Sequence, residues 1–264
     1  GAKELLLIAQ DLSAYGLDIR YAADTFKGRD YASRLYDLCC AVGEIAPWVR
    51  LHYVYPYPHV NEVIPLMADG LILPYLDMPL QHASPRILKA MRRPAAAEKA
   101  LERIHSWRAT CPDLAIRSTF IVGFPGETDE DVGVLLDFLE AAELDRVGCF
   151  TYSAVQGAAA NKLSDHVDER EKLDRQERVY ETQGAISAQR LDRHIGQTLR
   201  VLVDDSAGTA QATGRTRYDA PEIDGVVHIS SDTPVRAGEF CWVKITEHDD
   251  HDLFGVWSGD PISI

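Results

Sequence analysis

Side chains able to bind or react recur at one kind of place in this sequence, directly after a short apolar run. Gln10-Asp11 follows Leu5 to Ala9, and Tyr55-Pro56 closes Arg50 to Tyr55. Gln81-His82 comes shortly after Tyr75 to Met78, Gly123-Phe124-Pro125-Gly126 after Ile116 to Val122, and Tyr152-Ser153 after Arg146 to Thr151. Gln10, Asp11 and Gln81 offer hydrogen-bonding groups, and the His82 ring can serve as a general base or a hydrogen-bond donor. A single histidine is more often a satisfied structural residue than a general base, so contact with a ligand is expected of His82 rather than proton transfer. Gly123 and Gly126 permit close backbone approach to a ligand, and their turn leads into a helix N-terminus with free N–H groups. The plainer alternative is a turn that needs only glycine's backbone freedom. Residues alternate along the preceding strand, so either Arg117 and Thr119 or Ser118 and Phe120 face its functional side; Arg117 and Thr119 are the expected pair.

Other groupings look chemical and are not. Glu247-His248-Asp249-Asp250-His251-Asp252 has metal-binding residue types, but in a loop the spacing of its histidines fixes no geometry, and a solvated acidic turn is expected. Cys39, Cys40, Cys111, Cys149 and Cys241 form neither a regular disulfide framework nor a closely spaced set for zinc or iron–sulfur ligation.

The elements that must position these residues alternate between strand and helix. Five apolar runs read as parallel strands covered on both faces. Between them, helices are expected over Tyr31 to Ile45, Asn61 to Ala68, from Ser84-Pro85 onward, over Ala95 to Ala109, and from an N-cap at Thr128 through Leu139. Asp129, Glu130 and Asp131 complement the dipole of that last helix. Strand–helix alternation implies right-handed crossovers, and ligands then bind at the carboxyl ends of the strands. Ala154 to Asp165 reads as a loop, and Asp168 to Ile195 as a long charged helix, broken only by Gly184, with one apolar stripe of Leu173, Val179, Ile186 and Leu191.

After Gly196 the character changes to short runs rich in Val, Ile and aromatics, separated by turn residues: Thr198 to Val203, Gly225 to Ile229, Phe240 to Ile245 and Leu253 to Val256. That pattern predicts a small all-β barrel, so the expected domains are 1–195 and 196–264. The 264 residues carry a formal charge of −14. From Gly196 on, five cationic and twelve anionic side chains give −7. Such a surface repels nucleic acid and attracts a basic protein, so direct RNA binding through Arg215, Arg217 and Tyr218 is not expected. No apolar run is long enough to span a bilayer, and the expected location is cytoplasmic.

Several segments resemble a known family. Gly1 through Asp11 with Tyr15-Gly16 resembles the second barrel strand of the radical-SAM methylthiotransferases. Arg50-Leu51-His52-Tyr53-Val54-Tyr55-Pro56 is similar to their third strand, and Leu76-Asp77-Met78-Pro79-Leu80-Gln81-His82 to their fourth. The long run Arg117 to Thr128 is similar to their fifth. Gly214-Arg215-Thr216-Arg217-Tyr218-Asp219-Ala220-Pro221-Glu222-Ile223-Asp224-Gly225 resembles the TRAM signature of the branch that modifies a ribosomal protein rather than tRNA.

The resemblance implies an α/β fold: strands two to six of a radical-SAM (β/α) barrel, followed by a TRAM barrel. It implies a reaction that attaches a methylthio group to the β-carbon of an aspartate on small-subunit ribosomal protein twelve. One 4Fe-4S cluster cleaves S-adenosylmethionine, and a second, held by a further domain, is associated with sulfur delivery. The cofactor contacts it implies are Gln10, Asp11, Gln81, His82, Arg117, Thr119, Gly123, Phe124 and Pro125, with Gln10 and Asp11 near the amino-acid end of S-adenosylmethionine. The family's CxxxCxxC motif precedes the second strand, where this chain starts, and no cysteine present matches a ligand position. The full-length parent is therefore expected to hold two clusters, and these residues alone no cluster and no activity. The implied partner is a basic small-subunit ribosomal protein, met by the acidic TRAM domain. A tRNA methylthiotransferase and a non-catalytic module binding a basic protein are the alternatives.

Overall fold

A computed structural model describes residues 1–93, 99–206 and 211–259. Its first layer is a five-stranded, all-parallel sheet of β1 (Glu4–Leu7), β4 (Trp48–Leu51), β5 (Tyr75–Asp77), β6 (Ala115–Val122) and β7 (Arg146–Thr151), in that spatial order. The five expected apolar runs each carry one of these strands, but the one expected over Arg50 to Tyr55 starts earlier and ends at Leu51. Their register pairs Leu5 with Val49, Leu76 with Ile116 and Phe120 with Cys149. One face of β6 packs Ile116, Phe120 and Val122 into the main core with Leu135 and Leu139 of α5 (Asp129–Ala142). Arg117, Thr119 and Ile121 therefore point to the opposite, inner face.

The remaining helices are α1 (Leu35–Gly43), α2 (Ile64–Ala68), α3 (Pro85–Ala90), α4 (Ala100–Thr110) and α6 (Glu169–Asp192). Residues 95–98 of the expected Ala95 helix lie outside the described residues. Tyr31 is not helical. It belongs to a hairpin, β2 (Ala23–Phe26) with β3 (Arg29–Ala32), whose turn residues Lys27 and Gly28 both have positive φ, as a tight hairpin requires. Long α6 continues through Gly184, which does not break it. Its inner face is mixed, with Lys172, Arg175, Gln183 and Ser187 buried beside Val179, Ile186 and Leu191, whereas the expected stripe member Leu173 is exposed. Buried Asp145 fastens this helix to the sheet, accepting from Arg190 Nε and Arg193 Nη2, each at 2.9 Å, and from Ile116 N–H.

The second unit is a closed barrel of β8 (Thr198–Ser206), β9 (Gln211–Arg215), β10 (Val227–Ser230), β11 (Phe240–His248) and β12 (Leu253–Gly259). Strand β9, polar and short, is an addition to the four expected. Val201, Val203, Val227, Ile229, Val243 and Ile245 fill its interior. The barrel sits beneath the inner face of the sheet at the strands' starting ends, where Leu202, Tyr218, Ala220 and Phe240 pack on Trp48, Tyr75 and Ala115. Around that apolar seam lie ion pairs: Arg50 and Arg215 share Glu4, and Arg146 holds Asp219.

His194, just past α6, is buried at the same seam and stacks on Tyr218 with ring centroids 5.0 Å apart. Burial, helped by neighbouring Arg193, pushes its pKa from 6.5 down to about 4. The unfolded chain then takes up a proton at higher pH than the folded one. Its contribution is complete above pH 6.5 and is lost as pH falls towards 4, by about 3 kcal/mol in all. Urea midpoints should decline through that window, and His194→Phe should flatten the decline. Equal slopes in both proteins would refute this role.

Candidate functional site

The carboxyl ends of β5, β6 and β7 meet at a groove of about 330 Å³ whose lining includes Gln81, Arg92, Arg93, Ile121, Phe124 and Tyr152. Gln81 holds a left-handed backbone, φ 72°, while its N–H donates to Thr119 O and its carbonyl accepts from Ile121 N–H. The sheet's hydrogen bonding thus extends past β5 and fixes this edge of the groove. Phe124 stands edge-on to Tyr152 at 5.3 Å, forming an aromatic wall.

His82 turns the other way. Its Nδ1 accepts from Ala83 N–H and Ser84 N–H, both at 2.9 Å, which leaves the proton on Nε2, 3.3 Å from Glu127 Oε2. The side chain is fully buried. Ligand contact, the sequence expectation, gives way to a role inside the wall, pinning the turn after β5.

Glu127 is the hub that sequence reading passed over. Its fully buried carboxylate accepts from Gly123 N–H at 2.7 Å and from Arg175 Nη1 at 2.9 Å. Burial pushes this carboxyl up, but hydrogen bonds from His82, Gly123 and Arg175 outweigh it and hold the pKa below the ordinary carboxylate value. Lys172 Nζ donates to Tyr152 O at 3.0 Å, so α6 braces both sides of the turn. The detectable signal was the spacing of Lys172, Arg175 and Val179, three and four apart on one helix face.

Gly123 is required for a reason other than ligand approach. At φ 72°, a Cβ there would lie 2.3 Å from Lys172 Cγ. Nor is the helix after Gly126 left with all its first N–H groups free. Thr128 and Asp131 form a reciprocal capping box, and Asp131 also accepts from Ser84 Oγ at 2.6 Å and pairs with Arg86. Ser84, expected to cap its own helix, is spent on this link. Pro125 is buried within the turn.

Gln10 and Asp11 lie at the end of β1, across the sheet from the groove. Gln10 is exposed, and among the described residues Asp11 Oδ1 is buried with no hydrogen-bond partner, an acceptor that suits an ammonium group, while the Tyr57 hydroxyl neighbours the same carboxylate. Arg117 and Thr119 line the inner face farther down. Arg117 Nη1 lies 3.2 Å from Asp77 Oδ1, and Arg117 Nε 3.3 Å from Asp224 Oδ1. Asp77 in turn faces His52 Nδ1 at 3.3 Å. The nine expected residues therefore fall into a groove set, an inner-face pair, a β1 pair and the internal His82.

Aromatic wall, polar edge and the open oxygen of the Asp11 carboxylate suit S-adenosylmethionine. The cysteines do not suit iron. Cys39, Cys111, Cys149 and Cys241 are buried, and burial pushes the Cys39 and Cys149 thiols up to about 12, the reverse of a thiolate ligand. Among the described residues, no group of three or more His, Cys, Asp or Glu is arranged to hold a metal ion. Glu247 and His248 end β11, and the turn after them is self-bonded: Asp249 Oδ1 accepts from His251 N–H and Asp252 N–H, while His248 Nε2 faces Asp192 of α6. Among the described residues, no helix is long and apolar enough to cross a membrane.

Residues 4–139 match the radical SAM superfamily. The chain belongs to that superfamily. Residues 195–257 match the TRAM domain, the small barrel described above. This radical SAM chain is 60% identical over 97% of its length to the ribosomal protein uS12 methylthiotransferase RimO of Acidithiobacillus ferrooxidans, of which it covers 58%. It is 57% identical over 97% to the RimO of Saccharophagus degradans, covering 53% of that protein. With the RimO of Methylobacillus flagellatus the identity is 58% over 99% of the chain and 58% of the relative. The chain thus spans a little over half the length of these curated relatives.

Proposed function

We propose that this chain is the radical-SAM and TRAM portion of an enzyme that adds a methylthio group to the β-carbon of an aspartate on small-subunit ribosomal protein twelve. The observation that carries the reading is the identity to RimO proteins, sustained across both domains. In this reading the domains divide near residue 195. When bound, S-adenosylmethionine would supply radical chemistry, with the cluster held by residues outside these 264. The chain's own residues hold and shield S-adenosylmethionine. Asp11 and Gln10 receive its amino-acid end, the Gln81 and Phe124 groove takes the flat adenosine portion, and Gly123 and Pro125 keep that wall in place. Arg117 and Thr119 present polar groups to the inner face, and His82 acts through the turn it pins.

A basic protein is the favoured partner of the TRAM barrel over tRNA. Asp219 and Asp224 are turned inward, yet Asp205, Glu222, Asp232, Glu247, Asp249 and Asp250 remain exposed. Arg215, a cation once counted against them, is itself buried and paired with Glu4 and Asp204. The outward field is therefore still negative.

Two experiments test the proposal. A longer protein carrying a CxxxCxxC segment upstream of these residues, reconstituted anaerobically, should add the mass of a methylthio group to a peptide bearing the target aspartate. No gain on the aspartate, or tRNA retained by the protein at physiological salt, would count against it. The 264 residues alone, given iron and sulfide, should develop no stoichiometric cluster absorbance, and a 4Fe-4S spectrum would overturn that part.

A further inference from the structure

The inner face of the sheet holds a charge arrangement that crosses the domain boundary. Arg117, from the middle of β6, lies between two carboxylates: its Nη1 donates to Asp77 on the neighbouring strand, and its Nε faces Asp224 Oδ1 of the TRAM barrel at 3.3 Å in an ion pair, an oxygen that accepts no hydrogen bond among the described residues. The Asp224 side chain is fully buried and held from two further sides. Tyr75 donates its hydroxyl to Oδ2 at 2.6 Å, and Ala220 N–H donates to the same oxygen at 2.9 Å. Tyr75 belongs to β5, so the sheet itself orients the carboxylate that the small domain inserts. Arg50 and Arg146, the neighbouring guanidinium groups at the seam, are almost wholly enclosed, whereas the Arg117 side chain keeps 17% of its surface open. Beside it, Gly148 on β7 has no side chain, and an added Cβ would lie 3.7 Å from Arg117 Nη2. The guanidinium therefore borders open space on the inner face while two carboxylates fix its position.

We propose that Asp224 is a positioning residue: with Asp77 it clamps Arg117, so that the TRAM barrel sets the geometry of the inner face of the radical SAM sheet. A long arginine side chain with one partner samples several rotamers, while a second carboxylate on its Nε side leaves it one. The small barrel then completes the site wall from below as well as presenting an acidic exterior. The catalytic consequence rests on the proposed placement of Arg117 at the S-adenosylmethionine site; the clamp itself does not.

Isotope-labelled arginine allows the Arg117 Nε–H to be followed by hydrogen exchange in this chain. Asp224→Asn keeps the shape and removes the charge. It should accelerate exchange at Arg117 Nε about tenfold or more, while Arg146 Nε–H, held by Asp219, stays protected. Unchanged exchange at Arg117 would overturn the proposal. Should Asp224→Asn fail to fold, Tyr75→Phe removes only the orienting hydroxyl and should produce a smaller acceleration at the same proton; none would again overturn it. In the longer, cluster-loaded enzyme, Asp224→Asn should raise KM for S-adenosylmethionine about fivefold with a smaller change in kcat, and Arg117→Lys should raise it at least as much. An unchanged KM in Arg117→Lys would remove Arg117 from the cofactor site and leave the clamp to stand or fall on the exchange measurement.

Discussion

Glu127→Ala should destabilise the chain by about 3–5 kcal/mol, the range for removing one partner of a buried ion pair. The reason is what the carboxylate leaves behind. Arg175 is almost fully enclosed, and its other partner, Glu171, is half exposed and reaches one terminal nitrogen. Gly123 N–H loses its acceptor, and the enclosed His82 Nε2 loses the carboxylate it faces at 3.3 Å. Glu127→Gln keeps an acceptor for Gly123 but not the charge, and should cost about 1–3 kcal/mol. Urea unfolding at neutral pH measures both, and a loss in Glu127→Ala below about 1 kcal/mol would sink the argument. A pH signature accompanies it. The folded carboxyl has its pKa held below the ordinary 4.5, so its contribution is present above that value and is lost as pH falls through the folded pKa. Glu127→Gln should therefore flatten the acid limb of the stability profile below pH 4.5. Because Glu127 also holds the Gly123 turn, the Phe124 wall should loosen in the alanine variant, and with the proposed placement of S-adenosylmethionine on that wall its affinity should fall with stability.

What the sequence disclosed and what it hid follow from the range of the forces involved. Continuous apolar runs such as Ile116 to Val122 announced the parallel strands, because a strand covered on both faces has no polar side to show. The hairpin of β2 and β3 carried no such signal: its residues are exposed or half-buried, and only the Lys27-Gly28 turn marks it. Strand-end position drew attention to Gln81 and His82 alike, yet one lines the groove and the other caps a turn from inside. Position along a chain does not say which way a left-handed residue such as Gln81 will send its successor. Gly123 was legible as a required glycine, but the contact that requires it comes from Lys172, far along the chain. The widest gap is in charge. Arg215, Asp219 and Asp224 look like surface residues of an acidic barrel, and all three are buried because their partners Glu4, Arg146 and Arg117 belong to the other domain. No local pattern encodes such a pairing, so the net charge was read correctly while its distribution was not.

That buried distribution makes the second large effect a test of whether the two domains fold as one. Arg146 begins β7 and is enclosed. Its Nη2 and Nε lie 2.6 and 3.1 Å from Asp219 Oδ1, with Ser187 Oγ at 3.4 Å from Nη1 as a weak third contact. The second Asp219 oxygen accepts from Thr216 Oγ1 at 2.8 Å, which locks the carboxylate in place. Asp219→Ala would leave the guanidinium beneath the sheet with the serine as its hydrogen-bond partner and only the more distant Asp224 and Asp145 charges, at a cost of about 3–5 kcal/mol. Arg146→Met should cost less, because Asp219 keeps the threonine and methionine fills the space with apolar atoms. The double variant removes both charges and should be more stable than Asp219→Ala alone, a coupling of about 1–3 kcal/mol in the double-mutant cycle. Additive losses would mean that the pair contributes nothing to the seam. The TRAM barrel has its own apolar interior in Val201, Val227, Val243 and Ile245, so weakening the seam need not unfold it. Calorimetry of the wild-type chain should show one transition, and Asp219→Ala should split it, with the sheet domain melting first. The sheet domain is then left with Arg146 buried and without its carboxylate, whereas Arg50 keeps Glu4 and Arg117 keeps Asp77.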